Sequence, residues 1–128
     1  MRRMVISGMA GLAGLAGCAG TTLVTTQPAE ATTRELFWAK NTLAEQTLDP
    51  GAARFRDLYV ADLGNGDRVY CGEMNAGNGV GGFQGFQPFY MRQGKGVVKA
   101  LNWGAERAAF SAEKCAEAKS GALRINEG

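Results

Sequence analysis

Residues 71–90 read CGEMNAGNGVGGFQGFQPFY, and the fold turns on how this run is understood. Gly77, Gly79 and Gly82 satisfy G-x-G-x-x-G, a spacing that cradles a pyrophosphate when it leaves a strand and opens a helix. After Gly82 the chain continues FQGFQPFY. Gly85 and Pro88 oppose a helix start, and the aromatic residues around them favour strand. No Lys-Ser/Thr pair is present there to make a phosphate loop. Nucleotide binding is excluded on this context. The glycines serve instead a long irregular hairpin connection. Gly77, Gly79, Gly81, Gly82 and Gly85 permit positive φ and close backbone approach, while Asn75 and Asn78 tolerate left-handed geometry and bond backbone. Phe83, Phe86, Phe89 and Tyr90 pack the connection down. The sharper alternative is a surface loop carrying a recognition site.

Strand patterning extends on both sides. FRDLYVADL (residues 55–63) alternates with period two and runs into the turn Gly64-Asn65-Gly66-Asp67, and RVYCGEM returns antiparallel. In that second strand Val69, Cys71 and Glu73 share one face, expected to be inward, and Tyr70, Gly72 and Met74 the other. FQGFQPFYM and GVVKALNW read as two further strands, the former near an edge because of Pro88. Before the sheet, Thr32 and Glu35 form a T-x-x-E capping box. Leu36, Phe37, Leu43, Ala44 and Leu48 then mark one helical face, which Asp49-Pro50-Gly51 terminates. A short C-terminal helix is expected from Ser111, with Phe110 as the staple residue, Cys115 four positions in and Gly121 at its end. The expected fold class is α+β: an N-terminal helix, an antiparallel sheet of about four strands and a short C-terminal helix.

The opening segment, MRRMVISGMAGLAGLAGC, has the charges of Arg2 and Arg3 followed by fourteen uncharged residues. That is shorter than the roughly 20 a membrane span needs, so the segment reads as a signal. Leu15-Ala16-Gly17-Cys18 resembles a bacterial lipobox, which implies cleavage and lipid on Cys18. Ala19, where enteric systems place a retention aspartate, points to the outer membrane. The reading is a signal over residues 1–17, a lipidated flexible tether over 18–33 and one domain over 34–128. The tether AGTTLVTTQPAEATT has no apolar periodicity. Without Arg2 and Arg3, twelve basic residues balance twelve acidic ones, which leaves no electrostatic footprint for nucleic acid.

Cys71 and Cys115 remain once Cys18 is given to lipid, and an exported chain folds where disulfides form. A bridge between them closes a 45-residue loop, a constraint of roughly 4 kcal/mol. The chain has no histidine, so two thiols make a poor zinc shell, and histidine-based nucleophilic catalysis is excluded. No cofactor or metal is expected.

DPGAARFRDL followed by CGEMNAGNGVGGFQGFQPFY is similar to a family of small bacterial and prophage-encoded envelope proteins. Their pattern runs D-P-x-S-A-x-F-R, then C-G-E-V-N-x-K-N-x-x-G-G-Y-x-G-F. The likeness spans residues 49–90, about a third of the chain. Some members resemble phage superinfection-exclusion lipoproteins, which implies binding to an outer-membrane receptor. Gly77 stands where the pattern often has lysine. The family has no catalytic residues to carry over.

Glu73 is the residue with two readings. As a structural clasp it accepts N–H groups of the glycine loop or pairs with Arg54 or Arg56. As an acid or base it works in a pocket lined by Asn75 and Tyr90, with Asp57 or Asp62 as the second carboxylate of a cell-wall hydrolase. The favoured expectation is a non-catalytic lipoprotein that binds or shields at the outer membrane, its partner an envelope protein or glycan. The candidate binding loop or clasp is Glu73, Asn75, Asn78, Gly81, Gly82, Phe83, Phe86, Phe89 and Tyr90.

Overall fold

A computed structural model describes residues 20–126. Strand β1 (Thr21–Pro28) leads to helix α1 (Thr33–Ala44), and then to the meander β2 (Asp49–Leu63), β3 (Arg68–Gly77), β4 (Phe83–Gly94) and β5 (Val97–Trp103). A single 3₁₀ turn (Ala105–Arg107) opens into helix α2 (Ala108–Ser120), and β6 (Ala122–Asn126) closes the order. All six strands form one antiparallel sheet, ordered β5-β4-β3-β2-β1-β6. The sheet curls, so it is α+β as expected, with six strands instead of four.

The meander follows from sequence: alternating β-formers meet across the turn before Arg68, with Ala61 opposite Val69 and Asp62 opposite Arg68. β3 lies in the middle and buries both faces. Val69 and Cys71 join Leu63, Cys115, Ala118, Leu123 and Ile125 in a core beneath α2. Tyr70 and Met74 join Leu43, Phe89 and Met91 in a second core beneath α1. Full burial of Leu43, Phe89 or Met91 contributes about 1.5–3 kcal/mol each. The disulfide joins Cys71 to Cys115, with Cα atoms 5.8 Å apart, and so ties α2 to the central strand.

Four expectations are corrected. The supposed tether is largely strand: residues 21–25 pair with β6 and 26–28 with β2. Val24 and Thr26 point inward, and the Thr26 hydroxyl donates to the Ala118 carbonyl at 2.6 Å. A threonine facing the core hides the alternation from a hydrophobic count. α1 stops at Ala44, leaving Phe37 and Leu48 exposed, and Asp49-Pro50-Gly51 opens β2 instead of forming a separate stop. α2 begins at Ala108, so Phe110 lies inside the helix and is not its staple. Last, β6 comes after Gly121, whose left-handed φ of 109° ends α2 where expected. Leu123 and Ile125 of β6 are buried, a short alternation too brief to stand out in the sequence.

Pro88 carries an instructive detail. β4 pairs with β5 only from Phe89 onward, so residues 83–88 form a local edge within a strand that is otherwise internal. The missing N–H of Pro88 falls where no β5 partner asks for it.

Candidate functional site

The end of β2, β3 and β4 beyond α2 brings several of the sequence-singled residues together. Register places Arg54 opposite Asn75 and Asn75 opposite Phe86; Arg56 faces Glu73, and Glu73 faces Pro88. Paired residues share a face, so Arg54, Arg56, Glu73, Asn75 and Phe86 form one stripe, continuous with Cys71. The Arg54 guanidinium lies over the Phe83 ring at 4.6 Å, and Arg56 over Phe86 at 4.0 Å. Each stack holds a long cation flat on an aromatic face, worth about 0.5–1 kcal/mol at an exposed site.

Asparagines hold the glycine loop beside this stripe. Asn78 Oδ1 accepts from the N–H groups of Val80 and Gly82 at 2.9 and 3.0 Å, and the Asn78 N–H donates to the Gly82 carbonyl. Asn75 Oδ1 accepts from Gly85 N–H at 2.9 Å. Gly79 and Gly81 have φ of 88° and 93°, as a reversal of this kind demands. The loop leaves one strand and enters another, which is the hairpin connection expected and not a helix-opening phosphate cradle.

Glu73 pairs with Arg56 Nε at 2.6 Å, one of the two cationic partners anticipated. It shares the face of Val69 and Cys71, yet its side chain is 32% exposed, because β3 has by then run past the core beneath α2. The inward placement is therefore corrected. Its predicted neighbours also separate. Phe89 is fully buried beneath α1, where its ring meets Phe55 at 6.0 Å. Tyr90 sits on the α2 face against Phe110, 3% exposed, where burial raises its phenol although the Arg92 guanidinium opposes the shift. Neither belongs to the exposed stripe. Of the proposed second carboxylates, Asp57 Oδ2 lies 3.9 Å from the same Arg56 Nε, whereas Asp62 pairs with Arg68 elsewhere. Asp57 occupies the β2 bulge with φ of 57°. With Glu73, Pro88 and Lys119 it lines a shallow depression at the flank of α2.

Sequence reasoning named the asparagines, the glycines, Phe83, Phe86 and the Arg56 pairing. It missed the stacking role of Arg54 and Arg56, whose signal was their period-two spacing two strands away from the aromatics, across β3. Cys18 lies outside the described residues. Among the described residues, no group of three or more His, Cys, Asp or Glu side chains is placed to hold a metal, and no helix is long and apolar enough to cross a membrane. Comparison with protein-family models, curated proteins and solved structures finds no match. The fold and site together define a class: a small disulfide-tied sheet with a helix on each face and an exposed arginine–aromatic stripe.

Proposed function

We propose that this protein is a non-catalytic binding module of the bacterial cell envelope, anchored at the outer membrane by lipid on Cys18. The stripe Arg54–Phe83 and Arg56–Phe86, beside the asparagine-held loop, is its recognition surface. One observation carries the reading. Two guanidinium–ring stacks lie side by side on an open sheet face, a preorganised surface of arginine and aromatic residues, the types enriched at protein interfaces. The partner is an outer-membrane protein or an envelope glycan, in keeping with the resemblance over residues 49–90 to small envelope proteins, some of which look like exclusion lipoproteins.

Photo-crosslinking from position 83 in membranes tests this. A defined envelope partner, lost at least tenfold in the double substitution Arg54→Ala and Phe86→Ala with melting unchanged, is the expected result. Equal capture by both proteins overturns it. Mass spectrometry of the mature N-terminus tests the anchor separately: an acylated Cys18 is expected.

The hydrolase reading is favoured by one observation, that Asp57 and Glu73 border the same depression. Against it, Arg56 Nε stands 2.6 Å from Glu73 Oε1 and 3.9 Å from Asp57 Oδ2, so both carboxylates already face a cation. Glu73→Gln separates the readings. Retained fold with lost cell-wall turnover supports the enzyme; altered stability with no turnover to lose supports the clasp.

A further inference from the structure

On the far side of α2 from the stripe lies a cleft that no sequence motif announced. Its walls come from both edge strands, β5 and β6, which the curl of the sheet brings to the same side. Five cationic side chains line it: Arg92, Lys99, Arg107, Lys114 and Arg124. They come from β4, β5, the 3₁₀ turn, α2 and β6, so only the folded chain assembles them. Five of the protein's basic residues thus gather in a cavity of about 240 Å³.

Two carboxylates answer this charge in part. Asp67 takes Arg92 Nη1 at 2.5 Å and Lys99 Nζ at 2.9 Å, and Glu117 takes Lys114 Nζ at 3.2 Å. The Arg107 and Arg124 guanidiniums have no carboxylate partner among the described residues, although the Arg124 backbone N–H donates to Glu117 Oε1 at 3.0 Å. Arg107 is positioned instead by Asn102 Oδ1, at 2.9 and 2.6 Å, and by the Phe110 ring at 4.6 Å. Lys114 Nζ stands 5.7 Å from the same ring. At the inner end Arg92 is 7% exposed, and its Nε has no acceptor among the described residues. A buried donor without a partner is costly, and like charges gathered in a cleft repel unless an anion joins them.

We propose that this cleft is a binding site for a phosphate-type anion, a free phosphate ester or a lipid phosphate headgroup. Three guanidiniums and two ammoniums offer more donors than the two carboxylates have lone pairs to fill, and they approach from several sides, as a tetrahedral anion requires. The cavity falls short of the roughly 300 Å³ at which pockets begin to enclose a whole drug-sized ligand, so it suits a charged group and not a complete cofactor. Thr21, at the start of β1, also lines the cleft. It stands three residues after Cys18, a reach of about 10 Å at full extension. A lipid on Cys18 therefore sets the cleft against the bilayer surface and makes the headgroup the nearer source. That choice of source rests on the anchor proposed above; the anion site does not.

The full chain and the double variant Arg107→Gln and Arg124→Gln, both exposed positions, are compared after their disulfide and melting are shown to match. Calorimetric titration with inorganic phosphate and with glycerol 3-phosphate is expected to saturate for the natural chain. Affinity should fall at least fivefold in the variant and with added salt. Flotation of the non-lipidated Cys18→Ser chain with phosphatidylcholine vesicles, with and without phosphatidylglycerol, distinguishes the sources. Recovery that depends on both the anionic lipid and the two arginines supports the headgroup. Soluble binding without it supports the site and rejects the headgroup. Absence of saturable phosphate binding together with variant-insensitive flotation overturns the proposal. An unmodified Cys18 with phosphate binding intact would remove the anchor and leave the site.

Discussion

Gly72 shows how much one residue can carry. Its φ is 152°, and a Cβ there would stand 3.0 Å from the Arg56 carbonyl oxygen and 3.0 Å from Phe89 Cζ. The glycine lets β3 approach both the β2 bulge and the ring that fills the α1 core. Gly72→Ala is expected to cost about 1–3 kcal/mol in urea unfolding, with the slope unchanged. Tyr70 lies one strand position before the cystine at Cys71. Burial and the hydrogen bond to Glu35 push its phenol up to about 12, against 10.0 for an ordinary tyrosine. The folded state prefers the neutral phenol. The stability this contributes, roughly 3 kcal/mol, is complete below pH 10 and lost as pH rises from 10 to 12. Melting followed across that range should fall steeply, and less so in Tyr70→Phe. Asp67 behaves in the opposite sense. Burial works to raise its carboxyl, but Lys99 and Arg92 outweigh it and hold the group below the usual carboxylate range. Its contribution is present above about pH 4 and disappears as pH falls through the lowered value.

At the scale of elements, each helix is fastened to the sheet by a different device. α1 is capped by Thr32, whose hydroxyl accepts from Glu35 N–H at 3.0 Å, one half of the capping box expected. The Glu35 carboxylate does not complete the box as a reciprocal cap. It reaches Arg68 Nη1 at 2.7 and 2.8 Å and receives the Tyr70 hydroxyl at 2.6 Å. A motif read as local capping is thus spent on tertiary attachment. Glu35→Ala should cost about 2 kcal/mol and loosen α1 before the sheet, as hydrogen exchange at Leu43 would register. α2 is held covalently. Replacing Cys71 and Cys115 by alanine together should lower stability by roughly 4 kcal/mol, with α2 and β6 losing exchange protection first. The cysteine count, with the expectation of export, pointed to that bridge, and the geometry agrees: the cysteine of β3 that faces α2 meets the helix residue lying above it.

For the whole molecule, β1 is decisive. It pairs with β2 on one side and β6 on the other, so it completes the sheet. Replacing residues 21–28 with a Gly/Ser linker, harmless if the segment were a tether, should abolish cooperative unfolding at 25 °C. The loss removes the pairing of β6, the Val24 side chain and the Thr26 bond to α2 together. The six-stranded order is also what curls β5 and β6 toward one cleft and lines it with cations from five separate elements.

The local content of this fold was open to reading because local chemistry creates it. Alternation and a Gly-Asn-Gly turn make the β2–β3 hairpin, Thr32 starts α1, Gly121 ends α2, and glycine with asparagine shapes the loop after β3. Glu73 could be given a cationic partner in Arg54 or Arg56, but the choice of Arg56 depends on the bulge between Arg56 and Tyr59, since the register set by the turn would put Asp57 opposite Glu73. Long-range pairing was closed to such reasoning. Nothing within TTLVTTQP states that its threonines will find a partner near position 125, since a strand's hydrogen bonds depend on which edge is left unpaired and not on its own side chains. The cationic cleft has the same origin. A chain whose net charge is close to zero can still concentrate positive charge in one place, and only the path of the backbone through space sets where those charges meet.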